Sequence, residues 1–196
     1  MKRIFAVILL VLLLTGCGLS SPESTNPTPG TNEEPLPNSF TGLGGKMPEI
    51  TVNTADGRCL KLSELLKEKE LVVLNFWFQD CPWCIREFPV MEVAYQKYRD
   101  DVEILALNSV DGQQAVQAYW ESRGMSISMA ACPQSWAREC GVTAYPTSIF
   151  IDREGVVCLI HTGAITTVEV WEQVFDAFVG ENYRQTIYPS LQDVLG

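Results

Sequence analysis

"FWFQDCPWCIREFP", residues 76–89, sets two cysteines three apart between an aromatic, apolar run and a run with helical charge spacing. Cys81 and Cys84 could hold a metal, staple the fold or exchange electrons, and the flanking residues discriminate among these. On the N-terminal side, "LVVLNFWF" (Leu71 to Phe78) is a continuous β-prone apolar run, the pattern of a strand buried on both faces, and is expected to be the central strand. On the C-terminal side, from Pro82 to about Arg99, Ile85, Phe88, Val90, Met91, Ala94, Tyr95 and Tyr98 recur at mostly helical spacing. Pro89 lies inside that helix and is expected to kink it.

A cysteine that ends a buried strand and opens a helix sits at the N-cap. There the first-turn N–H groups lack intrahelical partners and the dipole is positive, so a thiolate is stabilised. Pro82 at the first helical position costs no hydrogen bond. Cys84, one turn on, can close a tight ring with Cys81, making Cys81 the exposed nucleophile and Cys84 the resolving partner. Zinc needs two more ligands, and the chain offers no second CxxC and only His161, in the predicted strand "VVCLIH". A purely structural bridge over so short a loop gains little entropy. The residues themselves therefore favour redox exchange, with no metal and no cofactor.

Working outward, 196 residues, 46% of them hydrophobic, suffice for one domain with appendages. A formal charge of -10, from 14 basic and 24 acidic residues, and the absence of a Lys/Arg cluster argue against a nucleic-acid surface. Lys2 and Arg3, an apolar run from Ile4 to Leu14 and "LTGC" follow the order of a secretory signal. The apolar run is too short to cross a bilayer core of ~30 Å. Residues 1–16 are thus expected to be a signal peptide and 17–45, rich in Ser, Thr, Asn, Pro and Gly, a tether of roughly 30 Å reach. Residues 46–180 form the domain and 181–196 a tail.

Within the domain, "MPEITVNTADGRCLKLSELL" alternates around Asp56-Gly57 as a hairpin, with Ser63 placed to cap a short helix. "VEILALNS" is a second buried strand, and Asp111 is expected to cap a helix running to Arg123-Gly124. "ISMA" is followed by a helical piece from Ser135 to Glu139. "TSIFID" and "VVCLIH" make a final hairpin through Arg153-Glu154-Gly155, and Val168 to Val179 a last helix. The expected fold is α/β: a mixed central sheet with helices on both faces and an N-terminal hairpin.

"LNFWFQDCPWCIREFP" together with "GVTAYPTSIFIDREGVV" resembles the TlpA/ResA-like branch of the thioredoxin superfamily, the membrane-tethered disulfide reductases of bacterial envelopes. The resemblance covers about Lys46 to Val179 and implies a thioredoxin-like fold. "LTGC" likewise resembles the bacterial lipobox, which implies acylation of Cys17 and a lipid anchor on the extracytoplasmic side. The alternative is an ordinary signal peptide with an incidental Cys17. By the resemblance, Asn75 and Trp77 match the asparagine and tryptophan before the active cysteine, Glu87 the acidic residue after the second, and Pro146 the cis proline facing the pair. The backbone of Tyr145 would be open to an extended substrate strand. The implied partners are exported proteins with disulfides and a membrane thiol-disulfide electron donor. Two features depart from the family: Pro-Trp between the cysteines, with Trp83 a partner contact or a lid, and Asp80, whose charge opposes a Cys81 thiolate.

Cys59, Cys132, Cys140 and Cys158 remain. In an exported protein an even remainder invites disulfides, Cys132 with Cys140 and Cys59 with Cys158 being the candidate pairs; the alternative is buried free thiols. Two rival functions also stand at this level. One is a thiol peroxidase of the same fold, for which no Pro-x-x-x-Thr-x-x-Cys run occurs. The other is a non-catalytic surface-binding lipoprotein.

Overall fold

A computed structural model of the chain describes Leu36 and residues 40–180. The expected signal segment, Cys17, most of the tether and the tail 181–196 lie outside the described residues.

The segment after the tether begins with a two-stranded antiparallel hairpin, β1 (Thr51–Asn53) and β2 (Cys59–Lys61). It turns through Gly57, whose φ of 85° is a conformation open to glycine. Then follow α1 (Leu62–Glu68), β3 (Leu71–Trp77), α2 (Pro82–Tyr98), β4 (Val102–Asn108), α3 (Gln113–Arg123), β5 (Ser128–Ala131), α4 (Gln134–Glu139), β6 (Thr147–Asp152), β7 (Val157–Thr162) and α5 (Val168–Phe178). The five longer-range strands form one sheet in the order β5-β4-β3-β6-β7. β3 pairs parallel with β4 and antiparallel with β6, so the apolar run of the sequence is the centre of a mixed sheet, buried throughout.

Alternation along β3 divides the core. Leu71, Val73 and Trp77 face α2 and α5, packing with Phe88, Met91, Trp171 and Phe175. Val72, Leu74 and Phe76 face the opposite layer, with Leu62 and Leu65 of α1 and Trp136 of α4. Each such fully buried Leu, Ile or Phe contributes about 1.5–3 kcal/mol over an exposed one. Asn75 is the polar exception on the α2 face, wholly buried. α2 continues through Pro89 to Tyr98, presenting Cys84, Glu87, Phe88, Met91, Ala94, Tyr95 and Tyr98 inward at three- and four-residue intervals.

Three sequence expectations change. The domain begins before residue 46: Leu36 is buried, its amide donates to Glu139 Oε2 at 2.9 Å, and Gly44 and Gly45 exchange backbone hydrogen bonds with Val157. Ser63 does not cap α1, because β2 runs directly into the helix and Lys61 occupies the N-cap; the Ser63 amide instead donates to Glu49 Oε1 at 3.2 Å. Asp111 does not cap α3, where Gly112 takes the N-cap position and the carboxylate turns towards the β3–α2 loop.

Candidate active site

Strand β3 ends at Trp77 beside the end of β4 at Asn108, so the loops that follow both strands emerge together. The β3–α2 loop is fixed from the β4 side. Asp111 Oδ2 accepts the Gln79 amide at 2.8 Å and Asn108 Nδ2 at 2.8 Å. Asn108 Oδ1 accepts the amides of Val110 and Asp111 at 2.9 and 2.7 Å. Gln79 Nε2 donates to the Ala115 carbonyl at 3.0 Å. This clamp ends two residues before Cys81.

Cys81 is the N-cap of α2 with extended φ and ψ of -87° and 103°, and its Sγ accepts the Cys84 amide at 3.1 Å. A sulfur here thus takes the place of the usual capping oxygen and satisfies a first-turn N–H. The two cysteines are joined by a disulfide, their Cα atoms 5.3 Å apart. Cys81 retains 3% of its exposure and Cys84 none. Cys81 is buried, less open than the sequence suggested, and Cys84 is more buried still. Asp80, one residue earlier, is exposed. Trp83 is 54% exposed with the Arg86 guanidinium 5.0 Å from its ring centroid, so Arg86 is directed at the indole. Trp77 is wholly buried, edge-on to Phe88 at 5.0 Å and tilted on Tyr119 at 5.0 Å, and supports the loop from beneath.

Glu87 is not a solvated helix carboxylate. It is fully buried one turn beyond Cys84, its Oε2 accepting Asn75 Nδ2 at 3.0 Å and its Oε1 the Ile165 amide at 2.9 Å. Desolvation pushes its pKa up to about 7, against the lowering effect of the Ile165 and Asn75 hydrogen bonds. A carboxyl poised there can take or give a proton near neutrality.

The Tyr145–Pro146 peptide, whose tyrosine ring packs against Phe78 of the β3–α2 loop, is cis and Pro146 is buried. The Tyr145 ring meets Phe78 edge-on at 5.2 Å and its hydroxyl is 2.8 Å from Ser109 Oγ. Among the described residues the Tyr145 backbone has no hydrogen-bond partner, so it offers one edge to an extended segment.

The remaining cysteines stand apart from this site as free thiols. Cys59 is exposed on β2 and Cys158 is on β7, in different sheets, with Cys158 Sγ donating to the Phe150 carbonyl at 3.3 Å; they do not pair. Cys132 and Cys140 flank α4 without a bond, each pushed up to about 12 by burial. Among the described residues no group of three or more His, Cys, Asp or Glu side chains is placed to hold a metal. Sequence reasoning missed Ser148, the Ile165 amide, Asn108 and the clamp made by Asp111. Ser148 and Ile165 reach the site from 73 and 78 residues away, where no local pattern could signal them.

A disulfide at a helix N-terminus, a buried carboxyl one turn on and a cis-proline loop in contact with the β3–α2 loop through Phe78 are the parts of a candidate thiol-disulfide exchange site. Residues 43–175, more than half of the chain, match the Redoxin family. The chain belongs to the Redoxin family. Its relatives include the thiol-disulfide oxidoreductase ResA of Halalkalibacterium halodurans, 31% identical over 143 residues that span 72% of this chain and 77% of the relative. The thioredoxin-like protein YneN of Bacillus subtilis is 28% identical over 136 residues, 68% of this chain and 78% of that one. A solved structure from Chlorobium tepidum, bearing the description thiol:disulfide interchange protein DsbE, superposes with a TM-score of 0.62 at 30% identity, covering 70% of this chain and 98% of the other. This Redoxin-family chain is therefore a thiol-disulfide oxidoreductase of the thioredoxin fold. Residues 1–17 match the prokaryotic membrane lipoprotein lipid attachment site, and the protein is lipid-anchored and extracytoplasmic.

Proposed function

We infer that the chain reduces disulfides of exported proteins, with Cys81 as the attacking sulfur and Cys84 as the resolving one. The observation that carries this reading is the asymmetry of the pair: only Cys81 caps α2 and keeps any exposure, while Cys84 has none. In the dithiol form the Cys81 thiolate attacks one sulfur of a client disulfide. The client S–S bond breaks, a Cys81–client bond forms, and the departing client thiolate takes up a proton. Cys84 passes its proton to Glu87 and attacks Cys81 Sγ, which releases the second client sulfur and closes the Cys81–Cys84 bond. Two electrons have gone to the client, and a membrane thiol-disulfide donor returns them.

Several features support the reducing direction. Asp80 places a negative charge next to Cys81, and Arg86 is turned onto Trp83, so no cation from this segment stabilises the thiolate strongly. Cys17 carries the acyl chain in this reading, which the lipoprotein match over residues 1–17 supports. With 24 acidic against 14 basic residues, the chain relies on that lipid and not on charge to stay at an anionic surface.

The test is insulin-type disulfide reduction by single variants. Cys81→Ser abolishes it, whereas Cys84→Ser makes one attack and stalls as a mixed disulfide. Normal turnover by Cys84→Ser would falsify the assignment. Cys84→Ala then serves to trap clients, because their mixed disulfides with Cys81 cannot resolve.

A further inference from the structure

Beneath the redox pair runs a short polar row. Asn75 on β3 stands opposite Ser148 on β6, and Ser148 opposite His161 on β7, so the three share one face of the sheet, the face that α2 covers. Asn75 Nδ2 spends its two hydrogens on two acceptors, Glu87 Oε2 and Ser148 Oγ, both at 3.0 Å. Its Oδ1 is buried with no partner. A buried unpaired acceptor costs on the order of 1–3 kcal/mol, so the orientation of this amide is held by the partners of its nitrogen. Turning this one would aim Oδ1 at the Glu87 carboxylate and repel it. Ser148 adds to that preference, because in the present orientation its hydroxyl oxygen accepts the second amide hydrogen.

We propose that Ser148 is a positioning residue for Glu87: by holding one hydrogen of the Asn75 amide it keeps the other on the Glu87 carboxylate, and so sets how readily that carboxyl exchanges a proton beside Cys84. The Asn75 donor favours the ionised carboxylate, and Ile165 N–H does the same from the β7–α5 loop. The causes that move the Glu87 equilibrium are its burial and these two hydrogen bonds. On its own helix Arg86 lies over Trp83 and Lys97 pairs with Glu172 of α5, while Asp176 of α5 accepts from Tyr98. The one further titratable group in the row is His161, half-buried at the outer strand with its pKa lowered by that burial. This leaves the Asn75–Ser148 pair as the adjustable element.

The inference deepens the role assigned to Glu87 and rests on it. The test is a carboxyl 13C NMR titration of Glu87 in the full oxidised chain, where the disulfide-bonded Cys81 and Cys84 do not ionise, with Glu87→Gln identifying the signal. Ser148→Ala is expected to move the midpoint up by about half a unit to one unit, and Ser148→Thr, which restores the hydroxyl, to bring it back. In an Asn75→Leu background Ser148→Ala should produce no further shift, because its path is gone. A midpoint unmoved by Ser148→Ala overturns the proposal, as does one that moves with His161→Asn instead, or a Ser148→Ala shift that persists without Asn75. The reading of Glu87 itself fails separately, if Glu87→Gln leaves the pH profile of mixed-disulfide resolution unchanged.

Discussion

Cys81 and Cys140 each cap a helix, at opposite ends. Cys81 begins α2, where its sulfur accepts a backbone N–H and meets the positive end of the peptide dipoles. Cys140 ends α4, where carbonyls converge, and burial together with the charge of Glu139 pushes its thiol up to about 12. The same side chain is thus suited to act as a nucleophile in one place and as a small apolar filler in the other. The two side chains are about equally buried, so the expected difference in reactivity between them follows helix polarity, and the number of cysteines carries little information about it.

The largest expected effect tests that contrast directly. In the reduced native protein at pH 7, Cys81 should alkylate at least about a thousand times faster than Cys132 or Cys140, whose thiolates are almost unpopulated at that pH. Cys158 should label only after unfolding, and exposed Cys59 should label natively. Comparable rates at Cys81 and Cys140, read by peptide mass spectrometry, would erase the distinction between the two helix ends.

A second contrast is between Glu87 and a side chain that cannot ionise. The folded protein raises the Glu87 pKa from 4.5 to about 7, so this group's contribution is fully present below 4.5 and is lost as pH rises through about 7. The gap in unfolding free energy between Glu87→Gln and the parent, both oxidised, should therefore widen in favour of Gln by about 3 kcal/mol between pH 4.5 and 8. A gap independent of pH would mean that Glu87 titrates normally. Smaller still, Cys140→Ala should cost about 1 kcal/mol in denaturant unfolding while leaving disulfide reduction unchanged. Asp80→Asn should raise the midpoint potential by about 10 mV, since it removes a like charge from an exposed position beside the thiolate.

The parts of this account that were legible in the sequence are those written in local pattern. The run Leu71 to Phe78 has the pattern of a strand buried on both faces, of which β3 takes Leu71–Trp77, and Cys81 followed by Pro82 marked the helix start. Pro146 as the cis residue came from its resemblance to a family motif, and the structure has it cis. The capping assignments at Ser63 and Asp111 went astray for a shared reason. Each residue has the right chemistry for a cap, but β2 leaves no linker before α1, and the β3–α2 loop recruits the Asp111 carboxylate from across the site. The burial of Glu87 was invisible because it depends on Asn75 and Ile165, which only the folded sheet brings to α2. Composition likewise set the tether's end at residue 45, although Leu36 already packs against the domain by a contact over a hundred residues away.

The central claim is that one pair among the six cysteines of residues 40–180 exchanges electrons, and at a reducing potential. Equilibrating the protein with glutathione buffers of graded potential, then counting alkylated cysteines by mass, reads both parts at once. The account predicts a single two-electron transition confined to Cys81 and Cys84, with a midpoint near the ~-270 mV of thioredoxin. A midpoint above about -180 mV, or a second transition at Cys132 and Cys140, would contradict it.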